Sequence, residues 1–136
     1  MKKRSILLLA AVCILAAALA GCRTTPDIHE IKEIPANAQK VASLELTGQS
    51  GTFTDGNIAV SGNGYIILDV RLQSGSVKSV SVKDATEDKT VYTILSPKTA
   101  LYDSAFNDYQ AENEYKLSFI DAREITGGID VYFLAE

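Results

Sequence analysis

Tryptophan is absent from this chain, histidine and methionine each occur once, and cysteine occurs twice. These scarcities exclude whole classes of chemistry. A Ser/His/Asp or Cys/His site needs an imidazole base, and the one histidine, His29, falls in a polar stretch between Pro26 and Pro35 that reads as a linker. Zinc lacks the ligands it prefers, and no glycine-rich phosphate loop follows a strand and opens a helix. No cofactor and no catalytic residue is therefore expected. Carboxylates remain, and Asp69, Asp103, Asp108 and Asp121 lie near strands, but an acid on a sheet surface ordinarily serves solubility.

What is present begins with an address. Lys2, Lys3 and Arg4 precede an unbroken apolar run from Ile6 to Ala20, the layout of a secretory signal. Fifteen helical residues at ~1.5 Å each reach only ~22 Å, short of a ~30 Å hydrocarbon core, so the run is not read as a span. It ends in Leu19-Ala20-Gly21-Cys22, which resembles the lipobox of bacterial lipoproteins. The resemblance implies cleavage between Gly21 and Cys22 and a diacylglyceryl thioether on Cys22. The protein would then sit on the outer side of the cell membrane, or on the outer membrane of a two-membraned host, held by its lipid.

Losing residues 1–21 would remove three of the thirteen Lys and Arg and none of the seventeen Asp and Glu, leaving a net charge of −7. That balance excludes nucleic acid and electrostatic adhesion to anionic lipid as partners. Cys13 would leave with the signal and Cys22 would be acylated, so the domain has no disulfide and its core must supply stability alone. The remaining 115 residues suit one domain, divided as a lipidated N-terminus and tether over 22–39 and a folded body over 40–136. Within the tether, Ile28, Ile31 and Ile34 fit either a helical turn or two, or a cover for one edge of the body.

Beyond Lys40 the texture is that of strands. Residues 41–47 alternate, and so do 65–72, where Ile66, Leu68, Val70 and Leu72 make one face and Tyr65, Ile67, Asp69 and Arg71 the other. Further strands are expected at 52–54, 57–60, 77–83, 90–95, 115–121 and 129–134. Gly48 with Gly51, Asp55-Gly56 and Gly127-Gly128 are read as turns between them. Residues 98–112 are ambiguous. Tyr102, Phe106 and Tyr109 have helical spacing, but Asn107, Asp108 and Asn113 favour turns, so irregularly connected strand is preferred.

About eight short strands without a convincing helix predict an all-β fold, a single antiparallel β-sandwich of two sheets. The turns Gly62-Asn63-Gly64 and Ser74-Gly75-Ser76, and the strands around Lys116-Leu117-Ser118 and Val131-Tyr132-Phe133, resemble the jelly-roll and immunoglobulin-like modules of secreted bacterial proteins. That likeness implies a fold and no particular activity.

The function expected is a non-catalytic binding or structural module displayed at the cell envelope, with an envelope protein or a glycan as its partner. A small carbohydrate-binding module is the alternative, using Tyr65, Tyr102, Tyr109 and Tyr132 as surface rings for a sugar face. Asp84, Glu87 and Asp88 share one turn and are a candidate calcium site, although no Asp-x-Asp-x-Asp-Gly loop is present.

Overall fold

Period-two alternation of apolar residues produces strand after strand along this chain. The computed structural model describes residues 29–136. The expected signal over 1–21, the cleavage point at Gly21, the lipidated Cys22 and the start of the tether lie outside the described residues. The strands are β1 (His29–Ile31), β2 (Gln39–Ile58), β3 (Gly62–Ser76), β4 (Ser79–Asp84), β5 (Lys89–Leu95), β6 (Ala100–Asp103), β7 (Asn107–Tyr109) and β8 (Tyr115–Ala135). All pairings are antiparallel, and one hydrogen-bonded path runs β1-β6-β3-β8-β4-β5, with β2 on β8 and β7 on β3.

The long strand β8 organises this sheet. Its first half pairs with β4 from Tyr115 to Ile120, and its second half pairs with β3 from Arg123 to Ala135. β2 runs along both halves. The sheet therefore has two arms: a first arm of β5, β4, the start of β8 and the end of β2, and a second arm of β1, β6, β7, β3, the end of β8 and the start of β2. Strong curling folds the arms toward each other. A methyl group on Gly56, near the end of β2, would come within 3.1 Å of Leu44 near its start.

The curl comes from glycines that sequence reading places at chain reversals. Gly48, Gly51 and Gly56 have φ of 94°, 97° and 89°, yet all three lie inside β2, where they coincide with shifts of pairing register. A left-handed glycine makes a bulge as readily as a turn, and a bulge bends a strand without ending it. Gly127-Gly128 is likewise no hairpin turn but mid-strand in β8. Three expected strands thus merge into β2 and two into β8.

Inside the curl lies one apolar core. Ile66, Leu68 and Val70 of β3 face it, with Ile129 and Val131 of β8 and Leu44 of β2 in the same rows. From the first arm come Val80, Val82, Ile94, Leu117 and Phe119, and Phe53 stacks on Phe119 at 4.7 Å with 13° between the ring planes. The faces predicted for 65–72 and 115–121 are those observed. The sheet also begins upstream of residue 40. β1 pairs with Leu101, Tyr102 and Asp103 of β6, covering an edge with a three-residue strand inside the expected tether. Residues 98–112 form β6 and β7 with irregular connections and no helix.

Candidate functional site

Alternation decides which tyrosines reach solvent. Tyr102 of β6 lies in the row of Leu68, and the row points inward, so Tyr102 is only 4% exposed. Its hydroxyl accepts a hydrogen bond from the Lys98 amide at 3.0 Å and donates to the Lys98 carbonyl at 3.3 Å. Tyr109 is 1% exposed and packs edge-on against Tyr115 at 5.1 Å and Phe133 at 5.7 Å. Burial pushes its phenol up to about 12. Neither ring is a surface platform for a sugar, which corrects the expectation for Tyr102 and Tyr109. Helical spacing among Tyr102, Phe106 and Tyr109 pointed to a shared face, whereas two short strands place both tyrosines in the core.

Tyr65 and Tyr132 do share the outer face of the second arm. Tyr65 lies opposite Leu134, and Tyr132 lies opposite Ile67 of β3 and Lys40 of β2, so the two tyrosines are diagonal neighbours. Both are partly exposed. Tyr65 meets Phe106 edge-on at 5.4 Å. The Lys40 ammonium sits 6.0 Å from the centre of the Tyr132 ring.

Next to Tyr132 on this face is a fixed ionic network. Asp69, Asp130 and Ser43 oppose one another across β3, β8 and β2. Asp130, 8% exposed, accepts from Ser43 Oγ at 2.6 Å and from Arg71 Nη1 at 3.1 Å, with Lys40 Nζ at 3.4 Å. The same Arg71 Nη1 donates to Asp69 at 2.9 Å. Hydrogen bonds from Arg71, then from Ser43, hold the Asp130 carboxyl down at about 2, against an ordinary 3.8. The Asp130 carboxylate in turn raises the Arg71 guanidinium.

Glycine makes room for this network. Gly128 occupies the outer-face position between Arg71 and Glu45, and a methyl group there would lie 3.2 Å from the guanidinium. The missing side chain leaves a groove of about 270 Å³ lined by Ser43, Glu45, Arg71, Gln73, Gly127 and Gly128. Chemically, Asp69 and Asp130 are paired acids bridged by one cation. A carboxyl held ionised well below neutral pH has no proton to give, so Asp130 is suited to accept hydrogen bonds and unsuited to general acid catalysis. Sequence reading placed Asp69 and Arg71 on one face but missed Asp130, Lys40 and Ser43, which join them only through strand register.

The expected calcium residues are engaged otherwise. Asp84, 2% exposed, accepts from the amides of Thr86 and Glu87 at 3.0 Å each, and from Asn113 Nδ2 at 2.9 Å. Asn113 also donates to Glu87 at 2.9 Å, and Asp88 pairs with Lys83 at 3.1 Å. Asp84 and Glu87 share Asn113 and close the β4–β5 turn through N–H donors, whereas Asp88 pairs with Lys83 instead. Among the described residues no group of three or more His, Cys, Asp or Glu is placed to hold a metal ion.

Comparison with protein-family models, with curated proteins and with solved structures returns no match, so function is argued from this geometry.

Proposed function

We propose that this chain is an exported lipoprotein, anchored through Cys22, whose sheet-built body is a non-catalytic binding module at the cell envelope. In this reading the outer face of the second arm meets the ligand. The observation that carries it is the pre-formed Lys40–Asp130–Arg71–Asp69 network beside the accessible Tyr132, over a groove opened by Gly128. Side chains already fixed by each other lose little freedom when a ligand docks, which favours binding. The fold reading that goes with it is a two-layered sandwich, the arms being its layers; the approach of Gly56 to Leu44 supports it.

A glycan is the favoured ligand class, because paired charged hydrogen-bonding groups beside an aromatic ring suit a polyol with one apolar face. An envelope protein is the other reading, favoured by the mixed charge of the same face. Nucleic acid is disfavoured by the net negative charge.

Two measurements test the proposal on protein extracted from membranes of its host. Intact mass should show diacylglyceryl on Cys22 as the first residue; a free thiol or a retained leader overturns the anchor. A glycan array should then give hits that vanish in both Tyr132→Ala and Arg71→Ala. Hits unchanged in both variants move the ligand elsewhere, and no hits at all reject the glycan and leave capture of an envelope protein by the same face as the standing reading.

A further inference from the structure

Among the described residues two large apolar side chains stand out at the surface: Phe106 at 50% exposure and Leu95 at 57%. They occupy opposite arms. Leu95 ends β5, at the far end of the sheet path from β1. Phe106 packs edge-on against Tyr65 on the outer face of the second arm, in the connection between β6 and β7.

The chain enters the described structure on that same arm. His29 opens β1 opposite Asp103, and Asp103 lies opposite Ile67 of β3, two residues from Tyr65. One strand separates β1 from β3, so the entry point and the Tyr65 row are about 10 Å apart across the sheet. From Cys22 to His29 the backbone reaches at most about 25 Å, whatever its path. A lipid on Cys22 would therefore hold the Phe106 corner within about 35 Å of the bilayer. The same corner carries exposed Asp108, opposite Asn63, and exposed Glu136, whose amide bonds the Asn63 carbonyl, so its charge is negative.

We infer that the Phe106–Tyr65 corner rests in the headgroup region of the membrane that carries the lipid anchor, fixing one orientation of the domain. The occupant of this apolar spot is a lipid surface. Aromatic rings prefer the boundary between headgroup and acyl chain, and a corner flanked by carboxylates suits zwitterionic rather than anionic headgroups. The inference rests on the anchor proposed above. It adds a second point of contact, which turns a tethered body into an oriented one with the Arg71 groove beside the membrane and the β5 arm away from it.

The chain has no tryptophan, so Phe106→Trp and Leu95→Trp each introduce a single reporter at a site with room for it. Each lipoprotein is reconstituted into zwitterionic phosphatidylcholine vesicles with or without brominated acyl chains. Phe106→Trp should emit further to the blue and lose emission to the brominated lipid, while Leu95→Trp should do neither. Quenching of Phe106→Trp no greater than that of Leu95→Trp, with the lipid on Cys22 shown by mass, overturns the orientation and leaves the anchor standing. An unmodified Cys22 overturns both.

Discussion

The two arms of the sheet share an interior and differ outside. On the outer face of the first arm, Thr93, Ser81, Ser118 and Thr54 form one row across β5, β4, β8 and β2, and the Ser81 and Thr93 hydroxyls are 2.8 Å apart. The matching rows of the second arm hold Arg71, Asp69, Asp130, Lys40 and Tyr132. Small hydroxyls satisfy themselves across strands and leave little for a ligand to grip. The second arm instead spends a buried carboxylate, a mid-strand glycine and an arginine on one spot, a costly arrangement for structure alone. Apolar residues on the inner rows specify the fold of both arms, whereas the network of charged side chains lies on one.

The strongest way to break this contrast is at the glycine pair. Gly127 has φ of 146°, and a methyl group there would collide with the Arg71 carbonyl and approach the Leu72 Cα to 3.0 Å. Gly127→Ala should cost about 4 kcal/mol or more, because backbone must move in the middle of the sheet. Urea unfolding checks this, and Ser118→Ala on the first arm should change stability by under about 0.5 kcal/mol.

Next in size is Arg71→Ala, which leaves Asp130 with only Ser43 and Lys40. About 1–3 kcal/mol of stability should be lost, and the carboxyl should climb back toward its ordinary value, as read by NMR titration.

A pH series sharpens the same comparison. Asp130 sits at about 2 in the folded chain against 3.8 ordinarily. The stability it adds is whole above 3.8 and disappears as pH falls toward 2, because the unfolded chain takes up the proton first. The gap in Tm between the parent and Asp130→Asn should therefore close across that window, while no such closure is expected for Thr93→Val on the first arm.

The smallest effects separate the two buried tyrosines. The Tyr102 hydroxyl bonds the Lys98 backbone twice, so Tyr102→Phe should cost about 1 kcal/mol. The Tyr109 hydroxyl has no hydrogen-bond partner among the described residues. Ser104 beside it already accepts from the Ile66 amide and donates to the Ala105 carbonyl. Tyr109→Phe should be neutral within ~0.5 kcal/mol or slightly stabilising in thermal unfolding.

These particulars show what could be read from sequence. The inner rows were legible: Ile66, Leu68 and Val70, like Tyr115, Leu117 and Phe119, announce their face by a period of two. Chain reversals were legible only in part: the turn at Asp84, Glu87 and Asp88 is the one observed between β4 and β5, whereas Asp55-Gly56 and Gly127-Gly128 carry the local signature of a turn while serving a bulge and a close strand crossing. The distinction depends on what lies across the sheet. The same holds for the site. Arg71 and Asp130 are 59 positions apart, and nothing local to either one announces the other until β3 and β8 are in register.

One consequence follows from β8 belonging to both arms. Neither arm can detach its hydrogen bonds from this strand without disturbing the ladder that serves the other, so the body should open as one cooperative unit. Amide exchange would then report a common protection ceiling for Leu117 and Val131, and the outer face of the second arm could not melt while the first arm stayed closed.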